Sequence, residues 1–221
     1  MDCFIKRHNI IFGKMSGERG DVKNETMEEW LDKLPAVCSG YSPENIFNMD
    51  ETGLFYRATT KNTYHIKGDD CASGKMSKDR VTVALCASMT GEKLKPLLIG
   101  KSENPRCVSK IKTDSLPVDY KFNNKSWMNS KLFESWISKV NKIMRRQKRQ
   151  IVLFNDNAPS HPNLTYSNVT LKFFPANTTS RSQPMDQGII QTTKLKFRKK
   201  QLLYMIREME KKPKNFVGLT F

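Results

Sequence analysis

Three aspartates lie in short polar motifs, each next to a stretch of chain that is expected to be rigid. Asp50 lies in NMDETG, Asp156 in LFNDNAPSH and Asp186 in QPMDQGII. Enzymes that cut phosphodiester bonds use carboxylates from separate elements to hold two divalent metals about 4 Å apart. Mg²⁺ and Mn²⁺ prefer such oxygen ligands. The three aspartates are therefore candidate catalytic and metal-binding residues, with Mg²⁺ or Mn²⁺ as the expected cofactor.

The elements around the first two aspartates predict how they meet. Residues 46–50 have the pattern of a short buried strand with Asp50 at its carboxyl end, followed by a turn at Gly53. Residues 150–154 predict a second apolar strand that ends just before Asp156. If the two strands are parallel neighbours, both carboxylates lie at one edge of the sheet, where sites form in α/β folds.

A long helix is expected to carry the third aspartate. The pattern predicts this helix from about 186 to about 211, with Pro213 beyond its end. Asp186 would lie in the first turn, where the helix dipole favours a carboxylate. It shares a helical face with Ile189 and Ile190, so we expect it to point with the apolar stripe toward the core.

The other elements complete an alternating pattern. The sequence predicts a short helix from Thr26 that ends at Pro35, hairpin strands at 80–89 and 94–99, an amphipathic helix at about 131–146 capped by Asn129 or Ser130, and a strand at 169–174. Residues 101–128 have the composition of a loop. This order of elements predicts an α/β fold with helices packed on a central sheet.

The positive charge of the chain is concentrated in two clusters. The net charge is +16; residues 139–149 hold six basic residues and no acid, and residues 194–214 hold nine basic residues and two acids. Clustered positive charge suits a polyphosphate, so DNA is the predicted partner, and the alternative is a solvated basic helix face. The residues predicted to contact the DNA backbone are Arg145, Arg146, Lys148, Arg149, Lys194, Lys196, Arg198, Lys199 and Lys200.

Several other classes of function have little support. No apolar run approaches 18 residues, which excludes a transmembrane helix, and residues 1–15 lack the apolar segment of a signal peptide. Five cysteines without a CxxC pair and three histidines predict reduced thiols rather than a zinc site. His161 fits a structural loop histidine better than a phosphate contact. Trp30, Trp127 and Trp136 are expected in the core, and strand alternation points Glu51 away from Asp50.

The motifs together resemble a known family. The chain is similar to the pogo/Tigger branch of the mariner-like DNA transposases, which includes Tigger-derived domesticated proteins and relatives of centromere protein B. The matching stretches, in order, are 48–57, 74–107, 116–137, 153–162 and 173–190. The resemblance implies an RNase H-like fold, with a central mixed β-sheet flanked by helices, and a nuclear location. By position, the catalytic carboxylates of the family fall on Asp50, Asp156 and Asp186.

The resemblance also implies a domain organisation. Residues 1–20 would be the remnant of a preceding helix-turn-helix DNA-binding domain and its linker, 21–212 a DDE superfamily endonuclease domain, and 213–221 a tail. The first hypothesis is a metal-dependent DNA endonuclease core. The second is a domesticated or truncated remnant that binds DNA or protein without cleavage, and a purely structural nuclear protein is a third. The sequence leaves the enzymatic activity and the oligomeric state open, with a homodimer among the alternatives.

Overall fold

A mixed β-sheet forms the centre of the fold. The computed structural model describes residues 24–57, 79–175, 178 and 182–211. The six strands of the sheet are β1 (Ile46–Leu54), β2 (Val81–Ser88), β3 (Leu97–Gly100), β4 (Asp119–Phe122), β5 (Ile151–Asn155) and β6 (Val169–Phe173), in the spatial order β4-β3-β2-β1-β5-β6. The described α-helices are α1 (Asn24–Cys38), α2 (Ser130–Arg146) and α3 (Ile189–Lys211).

The two strands next to Asp50 and Asp156 are parallel neighbours, which is the condition under which both carboxylates are expected at one edge of the sheet. β1 runs antiparallel to β2 and parallel to β5, with Asn48 of β1 opposite Phe154 of β5. Two residues beyond this pair, Asp50 and Asp156 therefore reach the same level of the sheet. β6 extends the parallel side next to β5, and β3 and β4 extend the other side next to β2.

Alternation along β1 divides the core into two layers. Phe47 and Met49 are fully buried on the face covered by α2, together with Phe133 and Ile137 of that helix. Ile46 points to the opposite face, where Val152, Phe154 and Phe174 pack against residues of α1. Burial of both sheet faces by helices explains why β5 is apolar along its length rather than alternating.

Three predicted boundaries are wrong for identifiable reasons. β1 continues to Leu54 because the residues after Asp50 still pair with β2, so Asp50 lies within the strand rather than at its end. α1 contains Pro35 and ends at Cys38 because its last turn packs on the core beside β5. β3 begins only after Pro96, which has no N–H for the sheet, and β4 lies in the stretch expected to be loop.

The structure confirms the predicted amphipathic helix before β5, which is α2. α2 begins after Asn129, whose side-chain Oδ1 accepts a hydrogen bond of 2.9 Å from the Leu132 N–H. Its buried face carries Phe133, Trp136, Ile137, Val140 and Met144. Among the described residues, none of the helices is both long and apolar enough to cross a membrane.

Candidate active site

Asp50 lies in the middle of the central strand, where its carboxylate is half-buried. Its Oδ1 accepts a 2.7 Å hydrogen bond from the Glu51 N–H. Burial raises the pKa of Asp50 to about 7, with further increases from the negative charges of Asp186, Glu51 and Asp156. The negative charges of the other two predicted aspartates therefore act on Asp50.

Asp156 follows the buried end of β5. Asn155, the last residue of that strand, is fully buried, whereas the Asp156 side chain is 30% exposed. The chain then turns, with the His161 N–H donating to the Ala158 carbonyl at 2.9 Å. This turn returns the chain toward Asp156, so the carboxylate sits at the carboxyl edge of the parallel strands as the sequence predicted.

Asp186 occupies a different position from the one predicted. It ends a 3-10 helix, Pro184–Asp186, and is exposed, while Met185 beside it is buried. Gly188 has a φ of +114°, a conformation that favours glycine, and it separates this turn from α3. The prediction that Asp186 lies in the first turn of α3 and faces the core is therefore wrong. Its exposure suits a residue that contacts an ion or substrate.

Two buried amides fasten the Asp186 turn to the sheet. Gln183 is 1% exposed; its Nε2 donates to the Met49 carbonyl at 3.1 Å, and its Oε1 accepts from Asn48 Nδ2 at 2.9 Å. Asn48 Oδ1 accepts from the Met185 N–H at 3.0 Å, and its Nδ2 also donates to the Phe154 carbonyl at 3.0 Å. The network therefore holds the Asp186 turn against both strands that carry the other aspartates.

This network gives a physical role to neighbours of the aspartates that the sequence analysis did not single out. Asn48 precedes Asp50 by two residues and lies on the same face of β1, and Gln183 precedes Asp186 by three. Their proximity to the aspartates in NMDETG and QPMDQGII was the available signal. Asn48 and Gln183 are 135 positions apart, so the hydrogen bond between them could not be read from the sequence.

His161 forms a buried bridge between two acidic residues. Its Nδ1 lies 2.5 Å from Asp156 Oδ1, and its Nε2 lies 2.9 Å from Glu51 Oε1. The ring also contacts Phe133, with 4.4 Å between centroids. Burial acts to lower the pKa of His161, but hydrogen bonds to Asp156 and Glu51 outweigh it and raise the pKa to about 10. His161 is therefore an imidazolium at neutral pH and is more than a simple loop histidine.

Glu51, Asp156 and His161 also have the spacing of a metal-binding cluster. One ligand atom from each lies within 4.8 Å of the others. In the metal-free chain both nitrogens of His161 are engaged by carboxylates, so the cluster forms an ion-pair bridge. A divalent ion bound by these three residues would have to displace a proton from His161. As predicted, Glu51 lies on the opposite face of β1 from Asp50.

The donor set around Asp50 fits a hard divalent cation better. Asp50, Asp156 and Asp186 come from a central strand, a strand-end loop and a 3-10 turn, and they offer carboxylate oxygens. The pKa of Asp50 is raised to about 7 mainly by burial, and the negative charges of Asp186, Glu51 and Asp156 raise it further. A bound cation would offset those negative charges.

The first basic cluster lies at the other edge of the sheet. Arg145, Arg146 and Lys148 are exposed just before β5 begins, whereas Asp156 follows the end of β5. Arg149 is held within the protein: its guanidinium donates to Asn45 Oδ1 at 2.8 Å, to the Glu44 carbonyl at 2.6 Å, to Gln147 Oε1 at 3.1 Å and to Glu92 Oε1 at 3.0 Å. Its Nη2 also forms an ion pair with Glu92 Oε2 at 3.0 Å. Each guanidinium nitrogen therefore has a partner within the protein.

The second basic cluster is closer to the aspartates. Lys194, Lys196, Lys199 and Lys200 are exposed on α3, which begins three residues after Asp186. Arg198 is half-buried and donates to Gln201 Oε1 at 2.7 Å. Gln201 in turn donates to the Tyr56 carbonyl, which links α3 to the chain just after β1.

A family model describes most of the chain. The model of the DDE superfamily endonucleases matches residues 78–221, and the chain belongs to this family. Asp50 lies before the matched residues, yet its strand is central in the same sheet. The fold is RNase H-like, as predicted, and resembles the Mos1 mariner transposase in a paired end complex with Mn at a TM-score of 0.52 and 13% identity, over 87% of this chain and 55% of that chain.

Sequence relatives place the chain in the Tigger-type branch, as the motifs indicated. It is 39% identical over 201 residues to the mouse (Mus musculus) Tigger transposable element-derived protein 4, covering 90% of this chain and 39% of the relative. It is 30% identical over 213 residues to the CENP-B homolog protein 2 of Schizosaccharomyces pombe, covering 89% of this chain and 40% of the relative. The chain thus spans about two fifths of the length of these relatives.

Proposed function

We propose that the chain is the catalytic core of a metal-dependent DNA endonuclease, with Asp50, Asp156 and Asp186 as the ligands of Mg²⁺ or Mn²⁺. The observation that carries this proposal is the convergence of three carboxylates from separate elements, which helps to raise the pKa of Asp50 to about 7. Bound divalent ions would supply charge neutralisation at the phosphodiester and activation of an attacking water.

The residues of the chain have separate tasks in this proposal. Asp50 is held by the central strand, and the Asn48–Gln183 network fixes the turn that presents Asp186. His161 holds the carboxylate of Asp156 in one orientation through the 2.5 Å contact. Each ligand thus rests on a buried partner, which is the support that metal ligands need for a defined geometry.

The lysines of α3 support DNA as the substrate. They extend from the aspartates along an exposed helix, and Lys194 follows Asp186 by eight residues. Contacts of this kind hold the phosphate backbone without selecting a sequence. The predicted backbone contacts of Arg145, Arg146 and Lys148 would require DNA that also passes the opposite sheet edge, and Arg149 is already engaged by protein groups. A nuclear location and a homodimer are further parts of the proposal.

A second candidate function is DNA binding or protein binding without cleavage. The observation that favours it is the exposed basic surface of α3, which can hold a phosphate backbone whether or not the aspartates cleave it. The two candidates differ in one property, since only the endonuclease breaks phosphodiester bonds.

We expect the purified chain to nick supercoiled plasmid in Mn²⁺ and not in EDTA, and Asp186→Asn to reduce the rate at least about 100-fold. Asp186 is exposed, so this change leaves the core intact. Asp114→Asn, at another exposed aspartate in a 3-10 helix, is the matched control and should nick like the parent. Equal nicking by Asp186→Asn and the parent would remove Asp186 from the site. DNA binding without nicking would favour the second candidate.

Metal binding should strengthen as the pH rises from 6 to 8. The pKa of Asp50 is raised to about 7, so at pH 6 most molecules carry a proton there that an ion must displace. The affinity for Mn²⁺ should rise up to about tenfold per pH unit below 7 and level off above it. Calorimetric titration at pH 6, 7 and 8 measures this change. Asp50→Asn should bind more weakly and without this pH dependence; an unchanged dependence would assign it to another group.

A further inference from the structure

An open groove of about 1330 Å³ lies where the chain leaves β1, and it is not used in the proposed reaction. Three aromatic side chains line it, and all are exposed: Phe55 at 40%, Phe122 at 44% and Trp127 at 55%. The exposure of Trp127 contradicts its predicted place in the core, whereas Trp136 is buried as predicted. Large exposed aromatics that share one groove commonly mark a binding surface.

The charged residues of the groove are all basic. Arg80, Lys101 and Lys125 line it, and none of its lining residues in the described part of the chain is acidic. The Arg80 guanidinium lies 4.2 Å from the centre of the Trp127 ring. Lys101 also contacts Asp79 at 3.1 Å, but this pair is exposed and therefore weak, so a phosphate can replace the carboxylate. Aromatic faces combined with cations match the bases and phosphates of a nucleic-acid strand.

The loop that carries Trp127 is rigid. Asn123 Oδ1 accepts from the Trp127 N–H at 3.2 Å, and Asn123 Nδ2 donates to the Trp127 carbonyl at 2.6 Å. Ser126 is fully buried, and its carbonyl accepts from Thr82 Oγ1 at 2.5 Å. The backbone beside the indole is therefore fixed before any ligand binds, which lowers the entropic cost of stacking a base on it.

The groove lies within reach of a strand bound at the candidate active site. Phe55 comes directly after β1 and follows Asp50 by five residues, which corresponds to about 17 Å of extended chain. Five stacked nucleotides at about 3.4 Å each cover the same length. Asn129 lines the groove, and Ser130 next to it donates to the Pro159 carbonyl, in the loop between Asp156 and His161, at 3.5 Å. A strand held at the aspartates can therefore extend into the groove.

We propose that this groove binds an unpaired segment of the DNA substrate, with a base stacked on Trp127 and the phosphates beside Lys101 and Lys125. The proposal rests on the proposed function in taking DNA as the substrate, and it adds a single-strand site to it. The basic side chains that line the groove favour a nucleic acid over a second copy of this chain with its charge of +16. Stacking on an exposed indole accepts any base, so the site would select unpaired strands rather than a sequence.

Fluorescence anisotropy with a labelled, mixed-sequence 12-nucleotide single strand in EDTA tests this site. We expect Trp127→Ala to weaken single-strand binding about tenfold and to change duplex binding less than twofold. Trp127→Phe should retain most of the affinity because it keeps an aromatic face. Leu31→Ala, at another exposed apolar residue on α1, is the control and should bind like the parent. Lys101→Gln with Lys125→Gln should lower the salt dependence of single-strand binding.

The outcomes separate this site from the proposed function. If the parent nicks plasmid in Mn²⁺ but Trp127→Ala binds the single strand as the parent does, the groove assignment is wrong and the endonuclease stands. If single-strand binding depends on Trp127 but the parent does not nick, the groove stands and the endonuclease is wrong. If the parent self-associates and Trp127→Ala does not, while single-strand binding is unchanged, the groove binds a second copy of the chain and not a nucleotide.

Discussion

Asp50→Asn should abolish metal-dependent nicking and, in EDTA at pH 8, should make the fold more stable. Loss of one carboxylate ligand on the central strand should reduce the rate at least about 100-fold. The gain in stability has a separate cause, because the charged form of Asp50 is disfavoured by burial and by the negative charges of Asp186, Glu51 and Asp156. An asparagine removes this charge and can still accept the hydrogen bond from the Glu51 N–H.

The sign of the pH dependence follows from the raised pKa of Asp50. This group titrates near pH 7 in the folded chain and near pH 4 when unfolded, so the folded state holds the proton more tightly. The stability of the parent therefore falls as the pH rises from about 4 to about 7, and Asp50→Asn lacks this loss. Since the carboxylate is only half-buried, we expect a gain of about 1–2 kcal/mol at pH 8 and little gain at pH 5.

Urea unfolding at both pH values in EDTA measures the free energy of unfolding, and plasmid nicking in Mn²⁺ measures the activity. Asp114→Asn is the control for loss of a surface carboxylate and should change neither quantity. An Asp50→Asn protein that is less stable than the parent at pH 8 would show that the Asp50 carboxylate stabilises the fold. That outcome would contradict the mutual repulsion on which the metal site depends.

Features set by the local pattern of the chain were predictable from the sequence. The apolar stripe of α2 and its Asn129 cap depend on residues three and four apart, and the structure confirms both. The apolar strand before Asp156 was predictable, whereas its parallel pairing with β1 was a condition of the prediction that the structure meets. The family resemblance then added the mixed sheet and the choice of the three aspartates, which local patterns alone could not supply.

Features that depend on distant partners were not predictable in this way. The end of β1 is set by pairing with β2, so the residues around Gly53 were mistaken for a turn. Arg149 lies in a basic cluster and is a typical residue type for a DNA contact. Its guanidinium instead contacts Asn45, Glu44 and Glu92, which are distant in the sequence. The sequence alone therefore does not show whether a basic residue binds a nucleic acid or another part of the protein.

Residue type also does not determine exposure. Trp127 and Trp136 lie nine positions apart and were both assigned to the core, but only Trp136 lies on the buried face of an amphipathic helix. Trp127 follows Ser126, which has a positive φ of 50°, and the buried Ser126 rather than the indole anchors the loop. The sequence offers no period in this stretch from which a buried face could be derived.

His161→Ala should destabilise the fold by about 3 kcal/mol at pH 6.5, because it leaves Glu51 and Asp156 without the cation between them. The pKa of His161 is raised to about 10 from the usual 6.5, so its contribution is complete below pH 6.5 and is lost as the pH rises through 10. The difference in unfolding free energy between parent and variant should therefore shrink between pH 6.5 and 10, which urea unfolding measures.

Glu51→Gln completes a double-mutant cycle, and a coupling free energy near zero would show that His161 stabilises the fold by packing alone. If the difference in unfolding free energy between parent and His161→Ala stays constant across this pH range, His161 is not an imidazolium bridge. Its ring would then be neutral and able to bind a metal.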